Sequence, residues 1–251
     1  MAFPTFESAA VVSATDLTYT GNPHDVSGVT ITAAKTLLVL WSDLSLVVGG
    51  GTNGSVVWDP AGANQTLTPC GNWFSGPGWG AGRIFRLDNP TPGASKVVRF
   101  SGGTASQQFA YAICVISEAV SQIAYNGAGS STPPATDPYD VSSAALSVAS
   151  GDALFSLFST DDGIGNGVNS APTCTGATSI AARSTGGGDS WSVFDYRVVG
   201  GTSEVATYHV VGDAGGTQNY AIAAVALRNA SVGGGSLAYL YHQPKTLLFI
   251  D

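Results

Sequence analysis

Two stretches of this chain, offset by about 110 residues, carry much the same pattern, and no other feature narrows its possible folds as far. Asp25-Val26-Ser27, followed by the apolar run Leu37-Leu38-Val39-Leu40, recurs as Asp140-Val141-Ser142 followed by Leu154-Phe155-Ser156-Leu157. Gly93-Ala94-Ser95-Lys96-Val97 is echoed by Gly201-Thr202-Ser203-Glu204-Val205, and Phe109-Ala110-Tyr111-Ala112 by Tyr220-Ala221-Ile222-Ala223. Solenoid repeats are shorter than this, so repetition at this length predicts duplicated β-domains.

The palette agrees. Charged residues make up 10% of the chain against roughly 25% in an average soluble protein, while 33 of 251 residues are glycine. Hydrophobic residues reach 44%, too many for a disordered chain. Abundant Gly, Ser, Thr, Val and Ala suit short strands joined by tight turns. A net charge of −8, with the basic residues scattered singly, argues against nucleic acid and against anionic membranes. No apolar stretch approaches the roughly 20 residues needed to span a bilayer. The first residues, Met1-Ala2-Phe3-Pro4-Thr5-Phe6-Glu7, lack the pattern of a signal peptide. Cys70, Cys114 and Cys174 cannot all pair and lack zinc-ligand spacing, so reduced, inert thiols of a bacterial cytoplasm are expected.

Nearly every ordered-looking segment reads as strand. Residues 35–41 form a near-continuous apolar run, as for a strand covered on both faces. Arg83-Ile84-Phe85-Arg86-Leu87 and Lys96-Val97-Val98-Arg99-Phe100 suit half-buried strands, with Asp88-Asn89-Pro90-Thr91-Pro92-Gly93 as the turn between them. In the second half Phe194, Tyr196 and Val198 share one face, with Asp195 and Arg197 on the other. The alanine-rich stretch near Ala144 is the only weak helix candidate. About eight strands per half predict two tandem jelly-roll-like antiparallel β-sandwiches, the alternative being one large β-sandwich. The expected division is 1–122 and 123–231, with the Pro/Ser-rich residues 130–135 as linker and 232–251 as a Gly-hinged C-terminal arm. The arm carries Leu237, Tyr239, Leu240, Tyr241, Leu247, Leu248, Phe249 and Ile250, which neither repeat requires. They are read as the residues that dock onto a neighbouring subunit.

Catalytic chemistry is scarce. Gly188-Asp189-Ser190-Trp191 is similar to the nucleophile block of one esterase group, but its α/β scaffold and later Asp-x-x-His are missing. His24, His209 and His242 are dispersed, and a glycosidase carboxylate pair would be set by the fold. Asp161-Asp162-Gly163-Ile164-Gly165-Asn166-Gly167 could wrap calcium but departs from the EF-hand pattern and reads better as a strand connection. No catalytic residue, metal or cofactor is expected, and the protein is read as not an enzyme. Trp73, Phe74 and Trp79 stand in a Gly/Pro-rich loop. They either stack on a sugar or partner, or plug the open end of a sandwich, which is the preferred reading.

Val56-Val57-Trp58-Asp59-Pro60-Ala61-Gly62-Ala63-Asn64-Gln65-Thr66-Leu67-Thr68, with Phe85-Arg86-Leu87-Asp88-Asn89-Pro90-Thr91-Pro92-Gly93, resembles jelly-roll proteins of tailed bacteriophages. Asp59-Pro60-Ala61-Gly62 departs from that group's usual Asn-Gly turn. The resemblance implies a virion component with no catalytic residues to carry over: head decoration, head fibre, spike or tail-associated adhesin. Its expected partners are other copies of itself and neighbouring virion proteins, at the virion surface. The alternative is a carbohydrate-binding adhesin that meets a host glycan through Trp73, Phe74 and Trp79.

Overall fold

The structure, a computed structural model, describes residues 3–12, 17–18, 23–43, 54–75, 81–102, 108–130, 138–162, 170–184, 191–211 and 218–230. The first half runs β1 (Val11–Val12), β2 (Leu17–Thr18), β3 (His24–Ile31), β4 (Thr36–Asp43), β5 (Ser55–Trp58), β6 (Gln65–Thr66), β7 (Thr68–Pro69), β8 (Phe74–Ser75), β9 (Ala81–Asp88), β10 (Gly93–Ser101) and β11 (Gln108–Ile116). The second runs β12 (Val120–Ser130), β13 (Tyr139–Ser142), β14 (Leu146–Ser147), β15 (Ala153–Asp162), β16 (Thr173–Cys174), β17 (Thr178–Ser184), β18 (Trp191–Val198), β19 (Ser203–Glu204), β20 (Thr207–Val210) and β21 (Gln218–Asn229). No helix occurs among the described residues, and the stretch at Ala144 is irregular. The chain is all-β, its sheets antiparallel and of the sandwich class.

Each half has a large inner sheet and a small outer one. The inner sheets have the orders β1-β11-β4-β9-β7 and β12-β21-β15-β18-β17; the outer sheets are β3-β10-β5-β6 and β13-β20-β16. Position for position the orders agree, and so do the registers. Thr36 lies between Asp88 and Ile116, and Ala153 between Val198 and Leu227. On this alignment β4 is equivalent to β15, β9 to β18, β11 to β21, and β10 to β20.

The sheets stack as four layers with three cores between them. Leu37, Val39 and Trp41 of β4 point toward the outer sheet of the first half, meeting Val29, Trp58, Val98 and Phe100. Leu38 and Leu40, on the other face, join Ile84, Phe155, Leu157, Phe194, Val225 and Leu227 in a central core drawn from both halves. The third core lies between β15, β18 and β21 and the second outer sheet. This two-sided burial explains the unbroken apolar run of β4, every residue of which is buried. Fully burying each large apolar side chain contributes about 1.5–3 kcal/mol, so the shared core is a major part of the stability.

The two inner sheets meet back to back. Ser42 Oγ of β4 bonds Ser192 Oγ of β18 at 2.8 Å, both buried. Gly82 of β9 lies so close to β15 that a Cβ there would overlap Leu157 Cδ1. At one end Gln122 Nε2 donates to Cys70 O at 2.7 Å, and at the other Phe6 packs edge-on against Tyr196 at 5.2 Å. The inner sheets thus pack face to face, β4 against its equivalent β15, and β9 against β15 and β21. The division expected at 122–123 falls inside β12, which pairs with β21 from Val120 to Ser130. The chain therefore crosses between halves near residues 117–119, ahead of the proposed linker, of which residues 131–135 lie outside the described residues.

Candidate functional site

The aromatic loop lies where β7 and β8 flank β9. Trp73 is half-buried: its ring meets Trp41 edge-on at 5.2 Å, and the Arg83 guanidinium lies over it at 5.8 Å. Phe74 packs against Tyr125 at 5.4 Å. Both residues are partly buried and pack their rings against neighbouring aromatic side chains at the end of the sandwich. Trp79 lies outside the described residues, as do Leu237, Tyr239, Leu240, Tyr241, Leu247, Leu248, Phe249 and Ile250.

The densest polar chemistry sits where no sequence motif marked it, between β15, β16, β18 and β20. Ser156 Oγ and the Tyr208 hydroxyl are 2.9 Å apart, and Cys174 Sγ is 3.9 Å from Ser156 Oγ. The Asp195 carboxyl faces Tyr208 and Ser179, but its Oδ2 is buried with no partner among the described residues. Burial pushes the Asp195 carboxyl up to about 7, only partly offset by hydrogen bonds from Tyr208 and Ser179. Burial likewise pushes the Cys174 thiol up to about 11 and Tyr208 well above its ordinary value. The equivalent positions in the first half are Val39, Trp58, Phe85 and Val98, all apolar. Alternation had set Asp195 opposite Phe194, Tyr196 and Val198. The structure keeps that alternation for Phe194 and Tyr196 but buries Asp195 and exposes Val198. Burial disfavours the ionised forms of both the Cys174 thiol and the Asp195 carboxyl.

The outer faces carry a matched pair of contacts. Asp25 and Arg99 form a bidentate ion pair at 2.7 and 2.8 Å across β3 and β10. At the equivalent place on β13 and β20, Asp140 lies 2.8 Å from His209 Nδ1. The hydrogen bond from Arg99 holds the Asp25 carboxyl below its ordinary value. His24 lies edge-on to Phe109 at 4.9 Å, and burial lowers its pKa.

Clefts open to solvent among the described residues. One, of about 570 Å³, lies between the N-terminal segment and β17; another, about 300 Å³, lies between Ala33-Ala34-Lys35 and the turn at Asn89–Pro92. Among the described residues no three His, Cys, Asp or Glu side chains converge as a metal site. Residues 163–167 of the acidic loop and Gly188, Asp189 and Ser190 lie outside the described residues. No protein-family model matches the chain, and no curated protein or solved structure matches it.

The buried cluster did have a signal in the sequence. Aligned half against half, Val39 becomes Ser156 and Phe85 becomes Asp195, polar residues inside strands that otherwise repeat apolar ones.

Proposed function

We propose that this protein is a non-enzymatic structural component of a bacteriophage particle surface, a head decoration, head fibre or spike, attached through oligomerisation and docking of residues 232–251. The back-to-back duplication carries the reading. Each inner sheet covers the other, so the chain forms a four-layer block whose two outer sheets face away from each other. Such a block is suited to being placed between neighbours, because its edges and outer faces are available while its core is complete. The resemblance of residues 56–68 and 85–93 to jelly-roll proteins of tailed phages supplies the particle. The enclosed polar cluster supports a structural role, since Asp195, Cys174 and Tyr208 are buried between the strands. The partners are other copies of this chain and adjoining virion proteins, with no nucleic acid and no membrane. Trp73 and Phe74, occupied in packing, lend the glycan-binding alternative little.

Quantitative mass spectrometry of purified particles tests this. The expected result is the protein in copy numbers comparable with the major capsid subunit, and lost from particles when residues 233–251 are deleted. Particles purified free of it would overturn the reading.

A further inference from the structure

The seat of Tyr125 has an open counterpart at the opposite end of the stack. Tyr125 stands opposite Val225 in the β12–β21 ladder and leans across to the other inner sheet. Its ring meets Phe74 at 5.4 Å, its hydroxyl donates to Asn72 O at 2.8 Å, and it covers Gly71 so closely that a Cβ there would overlap it. The β1–β11 ladder, with Val11 opposite Ile113 and Val12 opposite Ala112, sets Ala10 beside Cys114, the equivalent of Val225. Ala10 therefore holds the Tyr125 position of the first half. Its methyl group fills little of the space, and the 570 Å³ cleft is what remains, walled by Phe6, Ile180 and Tyr196, with Ser8, Thr178 and Ser179 as its polar lining. The mixture of apolar walls with the hydroxyl-bearing Ser8, Thr178 and Ser179 suits a phenol ring, which has an apolar face and a polar end.

The chain itself carries such rings near that cleft. The last described residue, Ala230, donates its N–H to Ala119 O at 2.9 Å. Two residues before Ala119, Ser117 donates to Thr5 O at 2.8 Å, and Thr5 adjoins Phe6 in the cleft wall. Residues 231–236 can span about 20 Å when extended. They lead to Leu237-Ala238-Tyr239-Leu240-Tyr241, whose tyrosines alternate and so share one face of an extended segment.

We propose that, in the unassembled protein, the cleft beside Ala10 is the seat of a tyrosine ring from residues 237–241 of the same copy. The proposal rests on the reading of this segment as the docking element and gives it a resting place in the free protein.

Amide hydrogen exchange on the full-length protein, dilute and without particles, tests it. The amides of 237–241 are expected to exchange at least about tenfold slower than those of an unstructured peptide. Ala10→Tyr, which fills the cleft from within, is expected to abolish that protection while β4 and β15 stay protected. Should Ala10→Tyr disturb β4 or β15, the paired Tyr239→Ala and Tyr241→Ala substitutions, outside the described body, must abolish it instead. Unprotected amides in the unaltered chain, or protection that survives the cleft-filling or double-alanine variant, would overturn the proposal. Particle attachment is scored separately in the 233–251 deletion, so either idea can fail alone.

Discussion

Asp195 occupies the place that Phe85 fills in the other half, and the exchange has a consequence for pH. Burial raises the folded carboxyl to about 7 from an ordinary 3.8, so between those values the folded state holds a proton that the unfolded chain has released. Stability therefore falls as pH rises from about 4 to about 7 and levels off above it. The difference of about three pKa units corresponds to roughly 4 kcal/mol as an upper figure. Asp25 and Asp152, held below their ordinary values, act at more acidic pH. His24, whose pKa burial lowers, pulls the other way in the same window, gaining stability with rising pH up to 6.5. Tyr208 and Cys174, the other titratable groups of the cluster, are pushed up by burial and ionise only at high pH. Asp195→Asn, a neutral mimic of the acid, isolates the effect. Urea unfolding between about pH 5 and pH 8 should show a declining stability in the unaltered protein, a flatter profile in the variant, and a more stable variant at the upper end. Equal slopes would remove Asp195 from this role.

β4 and β15 show how far two equivalent strands have drifted. Ser42 and Ser159 hold the same place in them, each beside β9 or β18 and facing the central core. Ser42 bonds Ser192, but the residue equivalent to Ser192 is Gly82, and Ser159 Oγ is buried without a partner among the described residues. Ser42→Ala should cost about 1–3 kcal/mol, because it strands the Ser192 hydroxyl in the core. Ser159→Ala should change stability by less than about 0.5 kcal/mol or raise it, since it removes an unsatisfied group. Parallel urea titrations of the two variants measure the contrast, and equal losses would contradict the equivalence.

These elements were unequally legible in the sequence. The run of β4 announced burial on both faces, and a strand so covered needs a second layer, which the other half supplies. The turn at residues 88–93 was plain from its prolines and glycine, and it takes its place with Asn89 at φ 50 and Trp58 Nε1 donating to Thr91 O. β12 was not legible. Its residues Asn126-Gly127-Ala128-Gly129-Ser130 show no apolar alternation, and it is a strand because β21 offers it an edge. Nor was Asp195, whose alternation was correct but whose outward face is covered by β20 and β16.

The molecule as a whole is two sandwiches made into one body by their inner sheets. Independent tandem domains would keep those faces for solvent or for other partners, whereas here Leu38, Leu40, Phe155, Leu157 and Phe194 share one core. This closure leaves the two outer sheets on opposite sides of the block, which is the basis of the proposed role on a particle. Because Ser42 and Ser192 meet across the two inner sheets at 2.8 Å, it can be tested by covalent capture. A disulfide needs Cβ atoms roughly 3.5–4.5 Å apart, a spacing that serine hydroxyls in hydrogen-bond contact bring within reach. The paired substitution Ser42→Cys with Ser192→Cys, oxidised during refolding and mapped by mass spectrometry, should give a cross-linked peptide joining β4 to β18 that neither single variant yields. A correctly folded, oxidised double variant without that link would contradict the back-to-back arrangement.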